Sequence, residues 1–250
     1  MPSITTNRRL SRVASGGFVL AVLAGFALWL AGTGYRLQWW DFRPAFLIVR
    51  WAAYGGLAAA VLSLVGVFLT RPGSSRHGFL VALAGLGIGL LVAGIPWQWW
   101  RKAQQVPPIH DITTDTEAPP AFVAILPLRA NAPNPAEYGG PALAAQQREG
   151  YPTLGPLVLQ IPPQQAFERA LAAASAMKWD VVATEPAEGR IEATATTFWF
   201  GFKDDVVVRV TPTAGGSRID VRSVSRVGRS DVGTNAQRIA AYFRQITHGE

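Results

Sequence analysis

The sequence predicts a chain in two parts. An α-helical membrane region of three transmembrane helices occupies residues 1–102, and an α+β domain with an antiparallel sheet and two helices occupies 157–250. A Pro-rich linker, 103–156, joins them and packs on the domain. Three observations support this. Residues 13–100 carry one acid, Asp41. Charge splits at the same place: residues 1–102 hold ten Lys/Arg against one acid, and 103–250 hold thirteen against fifteen. From residue 157 onward the apolar pattern alternates between the strand period of two and the helical period of 3.6.

Gly17 to Gly32 is an uncharged apolar run, long enough to span a bilayer with its flanks. A basic start before an apolar core also fits a signal peptide, but two further runs follow and LQWWDF is a poor cleavage site. The second run, Ala45 to Leu69, is broken only by Arg50, whose stem reaches the headgroups from one to two turns inside the helix end. The third is Phe79 to Ile95. Trp39, Trp40, Trp97, Trp99 and Trp100 flank the ends of the first and third runs as one aromatic belt. Ala21 with Gly25, and Gly85 with Gly89, are spaced to let helices approach closely. Arg8, Arg9, Arg12, Arg71 and Arg76 fall on one side, and Arg36, Arg43, Arg101 and Lys102 on the other. The arginines before the first helix place the N-terminus in the cytoplasm and the C-terminal domain outside it.

Ten of the eighteen prolines lie in 103–156, which predicts irregular chain with a mobile part near Asn131–Gly140. A strand at Leu157–Ile161 follows, then a helix opened by Pro162 and Pro163 with Phe167, Ala170, Leu171, Ala174 and Met177 as its buried stripe. Strands are expected at Trp179–Thr184, Arg190–Phe200, Asp204–Thr211 and Arg218–Val227. The last helix, Thr234–Thr247, buries Ile239, Phe243 and Ile246, leaves Arg238, Gln245 and His248 elsewhere, and has capping-box spacing at Thr234 and Gln237.

Alternation along the last two strands brings Asp205, Arg209, Asp220, Arg222 and Arg226 onto one sheet face. One reading is a cross-strand salt-bridge ladder. The other is an anion site, with Arg226 and Arg229 beside the amides opening the last helix. Asp231 opposes that site and suits a helix cap. Asn235 and Trp199 complete the candidates for contact with a ligand or partner. Trp199, Phe198, Phe200 and Phe202 either close a core edge or line a hollow that takes an amphiphile. No His has a second ligand at metal spacing, and nucleophile elbows, phosphate loops and dinucleotide fingerprints are absent, so neither metal nor cofactor is expected. The sequence pI of about 10.4 comes from the membrane flanks, so a nucleic-acid partner is not expected either. The chain has no cysteine, which removes disulfides and thiolate chemistry.

The runs IEATATTFWFGFKDDVVVRV and IDVRSVSRVGRSDVGTNAQRI, with PPIHDITTDTEAPPAF (Pro107–Phe122) and YPTLGPL (Tyr151–Leu157), resemble the domain-of-unknown-function 1499 family over about residues 105–247. The resemblance implies a bacterial domain, often fused to membrane spans, with no established activity. Many relatives open with a cysteine pair in a C-P-x-x-P-N-C context; IHDITTDT occupies that region here, so a thiol role is excluded. The expected protein is a multi-pass protein of the bacterial inner membrane whose periplasmic domain binds an envelope protein without catalysis. The alternatives are lipid or amphiphile binding between sheet and helices, and a hydrolase or transferase using the Asp/Arg face.

Overall fold

The computed structural model describes residues 10–248, and the chain divides into two compact units between Arg101 and Lys102. Arg8, Arg9 and the side chain of His248, which entered the charge and histidine readings, lie outside the described residues.

The first unit is three helices: α1 (Arg12–Arg36), α2 (Phe42–Leu69) and α3 (Phe79–Ala103), each long and apolar enough to cross a membrane. Small residues set their spacing. A Cβ added to Gly17 or to Gly85 would lie 2.5 Å from Ser63 Oγ, and one on Gly89 would lie 2.7 Å from the Gly56 carbonyl oxygen. The backbones therefore meet almost directly, as lipid-embedded helices do when dispersion rather than water drives their contact. α3 runs past the expected end at Ile95, through Pro96, to Ala103. A proline is tolerated within such a helix when its surroundings satisfy the freed backbone groups.

The second unit contains β1 (Asp111–Thr113), α4 (Gly140–Gly150), β2 (Leu157–Leu159), α5 (Pro163–Ala176), β3 (Asp180–Glu185), β4 (Arg190–Thr196), β5 (Lys203–Thr213), β6 (Gly216–Ser225) and α6 (Thr234–His248). The strands form one antiparallel sheet in the order β1-β6-β5-β4-β3, and β2 pairs with β6 beyond β1. Alternation decides the faces. Val206, Val208, Val210, Ile219 and Val221 turn towards α5 and α6 and join Phe167, Ala170, Ala174, Ile239 and Ile246 in the main core. Tyr242 is fully buried there, stacked on Trp179 at 4.7 Å, and its hydroxyl donates to the Ala170 carbonyl at 2.7 Å. The opposite face carries Val207 and Val224, covered by Phe122 and Ile125 from the segment after β1.

Several expectations are corrected. The Pro-rich segment is not simply irregular: it supplies β1, a single 3-10 turn at Leu126–Arg129 and α4, because Pro141 starts a helix of good formers. Asn134 also ties it down, donating through Nδ2 to the carbonyls of Ser225 (3.0 Å) and Gly228 (2.9 Å). β4 ends at Thr196, not Phe200. Gly201, at φ +73°, closes a hairpin in which Thr197 Oγ1 accepts from the Phe202 amide at 2.8 Å. Thr234 and Gln237 form no capping box; Gln237 Oε1 accepts from Lys102 Nζ at 3.2 Å. Arg238 does not stand apart from the packed side of α6 but reaches back to the sheet, for reasons given below.

Candidate functional site

The polar residues of β5 and β6 form two buried networks, one on each side of the sheet. Adjacent strand residues face opposite ways, so Asp204 and Asp205 serve different networks. Asp204 accepts from Arg238 Nη2 of α6 at 2.5 Å. Arg238 Nη1 also donates to Ser223 Oγ at 3.1 Å and to Asn235 Oδ1. Asn235, fully buried, accepts from Ser223 Oγ at 2.7 Å and donates to the His110 carbonyl at 2.9 Å and to Ser225 Oγ at 3.1 Å. One helix is thereby fixed in register to two strands and to the segment entering β1. Asp231 caps that helix: its carboxylate accepts from the amides of Gly233 (2.8 Å) and Asn235 (2.7 Å). Burial raises its pKa above the ordinary carboxylate value, and the charge of Asp204 adds to the rise.

On the other side Asp205, 0% exposed, accepts from Arg129 Nη1 (2.6 Å), Arg226 Nε (2.9 Å) and Nη2 (2.8 Å), and Thr194 Oγ1 (2.7 Å). Burial alone would raise its pKa, but the bonds from Arg226, Thr194 and Arg129 hold it below the usual value. Arg222 makes a two-bonded pair with Asp111, at 2.9 and 2.8 Å. Its guanidinium also lies 5.2 Å from the Phe122 ring centre and 5.4 Å from that of Tyr138. Arg209 and Arg218 share Asp220 and Asp115 at 2.8–3.2 Å. Glu192, also 0% exposed, accepts from three successive amides, those of Val123, Ala124 and Ile125, at 2.9–3.1 Å, and pairs with Arg190. Gln147 of α4 behaves as a further strand, accepting from the Thr113 amide at 2.9 Å and donating to its carbonyl at 2.6 Å.

The structure therefore brings Asp205 and Arg226 together, places Arg209 and Arg222 in separate ion pairs along the same face, and puts Asn235 and Asp231 at α6. Arg226 turns into Asp205 rather than towards the opening of α6, whose amides at Gly233 and Asn235 belong to Asp231. Arg229 is exposed, and its carbonyl oxygen lies 3.3 Å from His110 Nδ1. Trp199 lies in the β4–β5 hairpin, its ring centre 4.9 Å from that of Phe200, which stacks on Phe202 at 5.0 Å. Sequence reasoning missed Arg129, Asp111, Glu192, Gln147 and Arg238. The available signals were a lone arginine in the apolar run ILPLR and a lone glutamate within the strand run IEATAT. Among the described residues no three His, Asp or Glu side chains gather as a metal site requires.

This arrangement is organised to hold backbone rather than to expose reactive groups. No curated protein matches the chain. A family model described as a protein of unknown function, DUF1499, matches residues 111–246, from the first residue of β1 into the last helix. The chain belongs to this family of proteins of unknown function.

Proposed function

We propose that this protein is a membrane-anchored binding factor without chemistry of its own, whose second unit docks a partner protein of the cell envelope. One observation carries the reading. The carboxylates of Asp204, Asp205 and Asp231 are held in internal bonds, whereas Val123, Leu126 and Leu128 stand 54, 45 and 53% exposed on a segment fastened by Glu192 and Arg129. Apolar side chains held exposed on a fixed backbone suit protein contact. The buried side chains of the main core lie between sheet and helices, which supports docking on the surface over binding of an amphiphile in a hollow. In this reading the membrane is the bacterial inner membrane, the N-terminus is cytoplasmic and the second unit is periplasmic, which rests on the basic residues before α1.

The test is a photo-reactive benzoylphenylalanine placed at Leu126 in the native host. The expected result is a discrete protein adduct that Leu128→Asp abolishes and that the same probe at the exposed Gln164 does not give. If positions 123, 126 and 128 all fail to capture protein, the reading is wrong.

A further inference from the structure

The β4–β5 hairpin presents an aromatic side chain that nothing in the fold requires to be outside. Phe198 is 94% exposed at its tip. The loop beneath is built: the amide of Thr197 donates to the Phe202 carbonyl (2.9 Å), that of Gly201 donates to the Thr197 carbonyl (3.0 Å), and Phe200 is buried against Phe202. An ordered pedestal beneath an exposed phenylalanine points to something that receives it.

Strand register shows which end of the sheet this is. Thr196 pairs with Lys203, Asp204 with Ser225, and the Ser225 amide donates to the His110 carbonyl at 3.0 Å. The chain therefore enters the second unit, through residues 102–110, at the same end as the aromatic hairpin. Ten residues separate Trp100, in the last apolar helix, from β1, a reach of at most about 35 Å fully extended. Charge leans the same way. Exposed Lys178, Lys203 and Arg229 lie at this end against one exposed acid, Asp180; Glu185, Glu188 and the Ala214–Gly215 turn lie at the other. Asp204 and Asp231 at the near end are occupied by Arg238 and by the amides of α6.

We propose that the hairpin tip, Phe198 with Trp199, inserts into the interfacial layer of an anionic lipid surface, with Lys178, Lys203 and Arg229 against the headgroups. An exposed aromatic tip with cations at the same end of the sheet is the chemistry of interfacial attachment. The inference does not depend on the partner-binding reading, which concerns other residues.

The chain lacks cysteine, so Phe198→Cys and Ala214→Cys each create a unique labelling site in the full-length protein. Each variant is labelled with a nitrobenzoxadiazole dye and reconstituted in nanodiscs of phosphatidylcholine and phosphatidylglycerol, with and without shallow doxyl lipid. Insertion to the acyl boundary predicts that the label at 198 loses about half its emission to the doxyl group, while the label at 214 loses none. No quenching at 198 overturns the proposal, as does quenching equal at both sites. A blue-shifted but unquenched label at 198 overturns it too, since the tip would then be shielded by protein.

Discussion

Replacing Asp205 with alanine should be among the most damaging single changes in the second unit. The carboxylate accepts four hydrogen bonds, and its loss strands two guanidiniums, those of Arg129 (3% exposed side chain) and Arg226 (16%). Removing one partner of a buried pair costs about 3–5 kcal/mol, because the remaining charge is desolvated without compensation. A domain of this size has only about 5–15 kcal/mol to lose. With a urea slope near 2 kcal/mol/M, the unfolding midpoint should fall by roughly 1.5–2.5 M. Pulse proteolysis of the full-length protein in detergent across a urea gradient reads that midpoint. Arg148→Ala is the control: its pair with Glu117 is largely exposed, so it should shift stability by roughly 1 kcal/mol at most. The pH dependence gives a second readout. The folded pKa of Asp205 is depressed, so its contribution is complete above the unfolded value of about 3.9 and is lost as pH falls through the folded value. Wild type should therefore lose stability below about pH 4, while Asp205→Asn shows a flatter acid limb. A midpoint shift below about 0.5 M for Asp205→Ala would refute the view that this network holds the fold.

Other perturbations follow from the same geometry. Gln147→Ala leaves the buried amide and carbonyl of Thr113 without partners and should cost about 2–4 kcal/mol, seen as faster hydrogen exchange at Thr113. Asp231→Ala removes the α6 cap and should cost about 0.5–2 kcal/mol by the urea assay. Gly85→Ala forces a methyl to within 2.9 Å of the Phe18 Cα and should lower the stability of the helical unit by about 1–3 kcal/mol in detergent melts; Gly87→Ala, with open space around it, should not.

The division into apolar helices and a sheet domain was legible because period and charge change together near residue 102. The faces of β5 and β6 were legible too, since alternation alone separates Val206, Val208 and Val210 from Asp205 and Arg209. What alternation does not carry is the partner across space. Arg129 sits 76 residues from Asp205, and Gln147 sits 34 from Thr113. Arg238 looked like a solvated helix residue because helical periodicity treats any charge as outward; its partner, Asp204, is supplied by a strand earlier in the chain. The early end of β4 was hidden because FWF has high strand propensity, and the glycine after it decides the turn.

The charge on the outer sheet face has a physical reason in what covers it. A helix lying there would satisfy its own amides, and the sheet beneath could be apolar. The segment after β1 has only one short 3-10 turn before α4, so its buried backbone groups need partners from elsewhere. Glu192 takes the amides of Val123, Ala124 and Ile125. Arg129 takes the carbonyls of Asn134 and Pro135, and Arg222 that of Ala136. The carbonyl of Arg226 accepts the Asn134 amide at 3.1 Å. Arginines and acids that resemble an anion site in one dimension are thus the fastening of a proline-rich cover. Because that cover is fixed by these seven bonds, six of them to charged groups (roughly 1.5–3 kcal/mol each, net), its outward residues are set in position. A function for this domain is therefore to be sought on the outward face of the cover and at the hairpin tip, where apolar side chains are exposed on ordered backbone.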